Sequence, residues 1–342
     1  MSQRRIAVLG SGANGSSIAA SLIDAGRDVT IIDQWPEHVE AMRRDGIRIR
    51  MPEREQHVRG VRAHHLCDVC TFNDAFDVVL LCMKAYDTRW ACELIKPHLK
   101  PGGLLIGMQN GMAADVIVDA VGAERTVGCV IELSSEMFTP GQVRRNTPPE
   151  RTWIGLGTLG GGTAARLTEM QALLAPVGAV EIKPDILAAK WMKLVVNAMC
   201  LGPFAMVGRT LYDGLALPGM RELIVEIGEE AMRLGHDLGH KVEPIFGLTQ
   251  AELAGSNRPA EKLFDTLVGH VGPGRGRNTV LQDLIKGRRS EVDMINGLVA
   301  EQSARRGTAA PANARIAAMV RRIEAGELKP DPGNLARATA AE

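Results

Sequence analysis

One short run constrains this chain more than any other: Gly10-Ser11-Gly12-Ala13-Asn14-Gly15. It follows a β-rich apolar segment at residues 5–9 and opens a small-residue segment at residues 16–25. There Ile18, Ala19, Leu22 and Ile23 are spaced for one helix face. Strand, glycine turn and helix in that order form the context a dinucleotide-binding βαβ unit requires. Gly10 permits the tight turn, Gly12 lets backbone approach a pyrophosphate, and Gly15 lets the helix pack close to the sheet. The helix start, with Ala13 and Asn14 in the turn, offers unpaired N–H groups and a positive dipole to the phosphates. Asp33 ends the next apolar run, 18 residues past Gly15. A carboxylate there accepts hydrogen bonds from a ribose 2′-hydroxyl and repels a 2′-phosphate. The next residues are Gln34, Trp35 and Pro36, with no adjacent arginine. Asp33 therefore favours NAD(H), with NADP(H) as the alternative.

The same alternation continues. Residues 28–33 read as a strand, 36–45 as a helix, 46–50 as a strand and 78–82 (VVLLC) as a strand buried on both faces. Helix is expected at 88–99 and strands at 103–108 and 126–133. Residues 142–157 read as extra strands at the edge of the same sheet. This order predicts an α/β fold, an N-terminal Rossmann-type doubly wound sheet. From about residue 184 the signals turn helical, at 185–199, 219–238, 261–269, 280–287, 290–306 and 313–325. The glycine-rich stretch 271–277 reads as a loop. The expected division is a dinucleotide-binding domain at 1–180 and an all-helical domain for substrate binding and dimerisation at 181–342. The Ala-rich tail after Pro330 is expected to fray.

Totals narrow the function classes. Lys plus Arg and Asp plus Glu both number 40, and aromatics are only 4% of 342 residues. Zero net charge gives no global attraction to nucleic acid or an acidic membrane, and few rings remain to stack on bases. The longest charge-free stretches, 194–208 and 101–114, fall short of the ~20 residues a spanning helix needs. The apolar part of the start is too short for a signal peptide. Six cysteines, at 67, 70, 82, 92, 129 and 200, do not form a disulfide framework in so long a chain. A soluble protein of a reducing cytoplasm is expected.

Two loops sit where an open parallel sheet binds ligands, beyond the carboxyl ends of its strands. Lys84 lies in Met83-Lys84-Ala85-Tyr86, and Asn110 in Met108-Gln109-Asn110-Gly111-Met112. In the helical half, Lys193 and Asn197 are four apart on one helix face. A lysine against that much apolar surface would be partly desolvated and a better acid. Lys190 lies on nearly the same face, and spacing alone does not choose between them. Glu291 is expected to open a helix, where an acid ordinarily offsets the dipole. His64-His65-Leu66-Cys67-Asp68-Val69-Cys70 lacks the distant second pair of a zinc site, so no metal is expected. His236 and His240 lack the intervening glutamate of zinc peptidases. No GxSxG points to a hydrolase.

Together these residues resemble the ketopantoate reductases (2-dehydropantoate 2-reductases). The resemblance runs from Ile6 to about Arg322 through GSGANG, MKAYDT, MQNGM, the Pro140-Gly141 turn, KWMKLVVNA and NTVLQDLIKGRRSEVDMINGLV. It implies a Rossmann domain, a helical domain and an active site in the cleft. It also implies hydride transfer from a nicotinamide cofactor to a 2-oxo acid, ketopantoate to pantoate, in pantothenate and coenzyme A synthesis. By this resemblance Lys193 is the catalytic proton donor and Glu291 binds the substrate hydroxyl and sets the charge of the site. Asn110 and Asn197 position substrate and cofactor, Lys84 lies on the cofactor side, and Thr279 binds the substrate carboxylate. One departure is Leu201, where the family usually has an asparagine one turn past Asn197. The segment Glu132-Leu133-Ser134-Ser135-Glu136-Met137 is also more acidic than expected beside an anion. A relative acting as an NAD-dependent dehydrogenase on another hydroxy or oxo compound is the first alternative. A non-catalytic dinucleotide-binding protein is the second. The expected partners are a small 2-oxo or 2-hydroxy acid and a second copy of the chain.

Overall fold

A computed structural model of the chain describes residues 4–160, 164–245, 247–271 and 276–340. The chain forms two compact units. One comprises Met1–Gln109 with Ala113–Ile186, the other Asn110–Met112 with Leu187–Glu342.

The first unit opens with β1 (Arg5–Leu9), α1 (Ala13–Asp24), β2 (Asp28–Asp33), α2 (Pro36–Asp45), β3 (Ile47–Arg50), β4 (Glu55–Val58) and β5 (Arg62–His65). It continues through β6 (Phe76–Leu81), α3 (Thr88–Ile95), β7 (Leu99–Gly107), α4 (Ala114–Val121) and β8 (Thr126–Glu132). It closes with β9 (Ser135–Thr139), β10 (Gln142–Arg145), β11 (Trp153–Thr158), α5 (Ala164–Leu174) and β12 (Ala179–Ile182). Eight strands make one sheet in the order β12-β11-β8-β7-β6-β1-β2-β5. All its pairs are parallel except β8 with β11. Both faces are covered, which is why the inner strands read as unbroken apolar runs. Ile6 and Val8 face a core shared with Ile18 and Leu22 of α1. Ala7 and Leu9, on the opposite face, pack with Ala91, Cys92 and Ile95 of α3. The chain runs outward through β1, β2 and β5 and then returns to β6. The carboxyl ends of β1 and β6 therefore form the switch point where such sheets bind ligands.

The expectation for residues 142–157 holds only in part. β11 lies beside β8 in the main sheet, but β10 belongs to a second sheet of order β4-β3-β10-β9. Here β3, alternating buried isoleucine with exposed arginine, needs covering on one face only. Arg145, at the end of β10, is wholly buried. It donates to Ser21 Oγ (2.9 Å), Thr152 Oγ1 (2.9 Å), Thr147 O (2.8 Å) and Val177 O (2.7 Å). Burial among neutral acceptors pulls its guanidinium down to about 10.

The second unit takes in α6 (Ile186–Cys200) from Leu187 onward. It contains α7 (Gly202–Met206), α8 (Leu211–Leu215), α9 (Met220–Asp237), α10 (Gln250–Ala254) and α11 (Pro259–Val271). The remaining helices are α12 (Thr279–Ile285), α13 (Asn296–Arg305), α14 (Pro311–Glu324) and α15 (Asn334–Thr339). Most of the expected loop at 271–277 lies outside the described residues. The stretch Ile186–Met206 is long and apolar enough to cross a membrane by length and composition, but 78% of its apolar 18-residue window is buried inside the protein. There Trp191, Leu194, Val195 and Met199 join a core with Ile224, Ile227, Phe264 and Ile316. These residues form a stripe that turns one face of the helix to the core. The tail does not fray as expected. Leu335 and Ala338 of α15 are buried, and the Asn334 amide donates to Met206 O (2.9 Å) and Lys329 O (2.8 Å).

Candidate active site

In the first unit the glycine run bends from β1 into α1. Gly10 has φ +91°, a left-handed conformation, and an added Cβ would lie 2.8 Å from the Met83 nitrogen. At Gly15 an added Cβ would lie 2.0 Å from the Gly10 carbonyl oxygen, so no side chain fits. Around Gly12, which caps the start of α1, a Cβ would meet nothing within 4 Å. The loop is thus closed where it must pack and open where a phosphate would approach. Ala13 opens α1, and Asn14 donates to Leu133 O (3.3 Å).

Asp33 is buried at the end of β2. Its Oδ2 accepts from the Ser11 amide and from Ser11 Oγ, and its Oδ1 from the Trp35 amide (2.8 Å). The carboxylate therefore braces the glycine turn as well as ending the strand. Lys84, half-buried, precedes a short 3₁₀ turn after β6. Gln109 joins this loop to the end of β7, donating to Met83 O (2.9 Å) and Thr88 Oγ1 (3.0 Å). Nothing in the sequence singles out Gln109, because its role depends on two strands being neighbours.

The acidic segment after β8 is less exposed than its composition suggests. Ser135 Oγ lies 3.0 Å from Ser17 Oγ of α1, and buried Glu136 accepts from Asn146 (3.2 Å). The His64–Cys70 stretch forms the end of β5 and a 3₁₀ turn. There His65 Nε2 meets Glu40 (2.7 Å) and Arg43 donates to Asp68 (2.8 Å). Among the described residues no group of three or more His, Cys, Asp or Glu could hold a metal ion.

The second unit gathers polar side chains from distant positions. Asn197 of α6 donates to Asn110 Oδ1 at 3.0 Å, and Asn110 Nδ2 reaches Glu291 Oε2 at 3.5 Å. Asn197 and Glu291 are buried, and Asn110 is half-buried. Lys193 is half-buried one turn before Asn197, whereas Lys190 is buried. Burial, opposed by the Lys193 charge, pushes the Cys200 thiol up to about 12, so that thiol is inert. Leu201 follows on the same stripe and packs against the helical core. Thr279 opens α12. Its neighbour Asn278 caps that helix and donates to Cys200 O (3.2 Å) and Leu201 O (3.1 Å), tying α12 to the end of α6.

Glu291 does not open a helix. It precedes a 3₁₀ turn, Val292–Met294, and α13 begins only at Asn296. At Ile295 the backbone leaves helical geometry (φ −122°, ψ −90°). The carboxylate thus serves Asn110 rather than a helix dipole.

Two family models cover most of the chain. Ketopantoate reductase PanE/ApbA matches residues 6–171 and its C-terminal counterpart matches residues 185–324. The chain belongs to the ketopantoate reductase family. Membership makes it an oxidoreductase acting on a ketone. The 2-dehydropantoate 2-reductase of Mesorhizobium japonicum is 28% identical, over 93% of this chain and 97% of that protein. The PanE/ApbA family ketopantoate reductase structure from Ralstonia eutropha JMP134 is 26% identical with TM-score 0.78, covering 94% and 99%. A D-mandelate dehydrogenase with NADH and anilino(oxo)acetate shares the fold at TM-score 0.82 and 20% identity, covering 94% and 99%. Ketopantoate reductases thus supply both halves of the architecture.

Proposed function

We propose that this chain reduces the carbonyl of a 2-oxo acid with hydride from a nicotinamide dinucleotide, ketopantoate to pantoate being the leading reaction. The reading rests above all on the hydrogen-bonded Asn110, Asn197 and Glu291 beside Lys193. The open backbone at Gly12 supports a dinucleotide pyrophosphate, held by amides of residues 10–15. Lys84 and Asn110 would attend the cofactor. The nicotinamide supplies hydride when bound. Negative charge then builds on the carbonyl oxygen, where the Lys193 ammonium stabilises it and gives up a proton. Asn197 and Asn110 orient the oxygen and Glu291 accepts a substrate hydroxyl. Thr279 donates to the substrate carboxylate.

Asp33 supports NADH over NADPH, since its carboxylate repels a 2′-phosphate. The expected kcat/KM ratio is at least about tenfold in favour of NADH, or ~1.4 kcal/mol; the reverse ratio overturns this preference. Leu201 supports a second reading. It offers no hydrogen bond one turn past Asn197, so an NAD-dependent dehydrogenase for a 2-oxo or 2-hydroxy acid with an apolar side chain fits that surface. A steady-state screen of 2-oxo and 2-hydroxy acids with both cofactors tests all of this. Turnover of ketopantoate supports the first reading, and exclusive turnover of another acid supports the second. Binding of dinucleotide without any turnover would leave only a binding protein. The same reading places the chain in the cytoplasm, consistent with six free thiols. It also takes a second copy of the chain as partner, for which sedimentation equilibrium is the check.

A further inference from the structure

We propose that His38 is a positioning residue for the dinucleotide-binding turn, acting through the Ser11–Gly12 peptide. His38 lies in α2, is wholly buried, and was singled out by no motif. The Gly141 amide, at the turn between β9 and β10, donates to His38 Nδ1 at 2.9 Å. An amide N–H can only donate, so Nδ1 is the acceptor and the ring proton sits on Nε2. Nε2–H then faces the Ser11 carbonyl oxygen at 2.9 Å, with Ser16 Oγ 3.1 Å away. Ser16 Oγ itself donates to that same oxygen at 2.6 Å.

Two donors therefore hold one carbonyl from one side. In a trans peptide the N–H points opposite to the C=O. Fixing Ser11 O thus fixes the direction of the Gly12 N–H, and of Gly10, Gly12 and Gly15 it is Gly12 whose surroundings are open. Asp33 holds the other end of Ser11 through its amide and hydroxyl. The relay runs from Gly141 through His38 to Ser11 and Gly12, so the turn of the small sheet braces the phosphate-binding turn. This proposal rests on the dinucleotide reading above.

The test uses the full chain and two substitutions that split the imidazole. In His38→Asn the side-chain oxygen can replace Nδ1 as acceptor, but the side chain no longer reaches Ser11 O, which keeps only Ser16 Oγ. In His38→Gln the amide nitrogen can replace Nε2, and the Gly141 bond is lost. NADH affinity is read by titrating cofactor fluorescence, with KM and kcat in parallel. His38→Asn should weaken NADH binding by about tenfold and raise KM likewise, with kcat at saturation within about twofold. His38→Gln should restore affinity to within about threefold. Equal affinities for the two variants, or a lowered Tm with unchanged affinity in both, would overturn the proposal. If His38→Asn does not fold, Ser16→Ala decides. An affinity loss of about threefold supports the proposal, and no loss overturns it. If the unaltered chain binds neither NADH nor NADPH, the dinucleotide reading itself fails and takes this proposal with it. Tight binding by the unaltered chain and by His38→Asn alike removes only the proposal.

Discussion

The two units build their candidate sites by opposite means. The first uses backbone: Gly10, Gly12 and Gly15 act because they lack side chains, and the groups they offer are amides. The second uses side chains: Asn110, Asn197 and Glu291 meet by hydrogen bonds, with Lys193 one turn away. A backbone site tolerates no added atom at its closed positions. A side-chain site tolerates bulk but no loss of function groups. The contrast also separates the expected effects of substitution, which fall on binding in one unit and on turnover in the other.

The largest expected effect is in the helical unit. Lys193→Ala should lower kcat by roughly a thousandfold, the scale of losing a donor aimed at a developing oxyanion, while NADH affinity stays near that of the unaltered chain. Lys190→Ala is the control, because Lys190 is buried and should cost Tm instead. If Lys190→Ala removed turnover and Lys193→Ala did not, the proton donor would be reassigned within the same helix.

Gly15→Ala should come next and attack the other unit. A Cβ 2.0 Å from backbone oxygen cannot be relieved by rotating a side chain. A stability loss of about 3 kcal/mol is expected from such overpacking. NADH binding should weaken on the order of a hundredfold, equivalent to about 2.7 kcal/mol. Gly12→Ala, placed in open space, should fold normally and lose affinity alone. Fluorescence titration and thermal melts separate the two. Equal melting temperatures for both variants would break the distinction between closed and open positions.

These differences also explain what could be read from sequence. The glycine turn was legible because sterics dictate residue type locally: strand, turn and helix sit within 20 residues. The inner strands were legible because burial on both faces leaves no polar positions. β4 and β12 were not, because each is an edge strand carrying charged or polar side chains. In the helical unit, spacing alone paired Lys193 with Asn197, and only the resemblance grouped them with Asn110 and Glu291. Asn110, Asn197 and Glu291 are separated by 87 and 94 positions, and no local spacing records their meeting. His38 and Gln109 left no signal, since each bridges segments that only the fold makes adjacent. Only the place of Glu291 was misread: a 3₁₀ turn follows it and α13 begins at Asn296, a break at Ile295 that the apolar spacing does not record.

Glu230 tests whether buried polar side chains in the helical unit also serve structure. Its carboxylate accepts from the Ala312 amide (2.9 Å), the Asn313 amide (2.9 Å) and the Asn313 side chain (2.8 Å), at the start of α14. Glu230→Ala leaves the two backbone amides buried without this acceptor, while the Asn313 side chain keeps Ile227 O (3.1 Å). A loss of about 2–3 kcal/mol is expected, read by chemical denaturation. KM for NADH should not move. A change in NADH affinity larger than the change in stability would contradict the division of labour.

Asp77 should give the smallest effect and shows that charge in the first unit contributes to folding away from the strands' carboxyl ends. Burial raises its carboxyl, but the Arg5 amide (2.9 Å) and the Lys100 ammonium (2.9 Å) outweigh this and hold it below the usual carboxylate range. A carboxyl whose folded pKa is depressed contributes stability above its unfolded pKa and loses it as pH falls through the folded value. The contribution is therefore complete at neutral pH and fades below about pH 4. Asp77→Asn should cost about 1 kcal/mol at pH 7, since the site is partly solvated and Lys100 is screened. The difference between the unaltered chain and the variant should begin to shrink as pH falls below about 4 and go on shrinking with further acidification, with NADH affinity alike at pH 7. A difference that does not shrink at all on acidification would show that Asp77 acts through packing rather than charge.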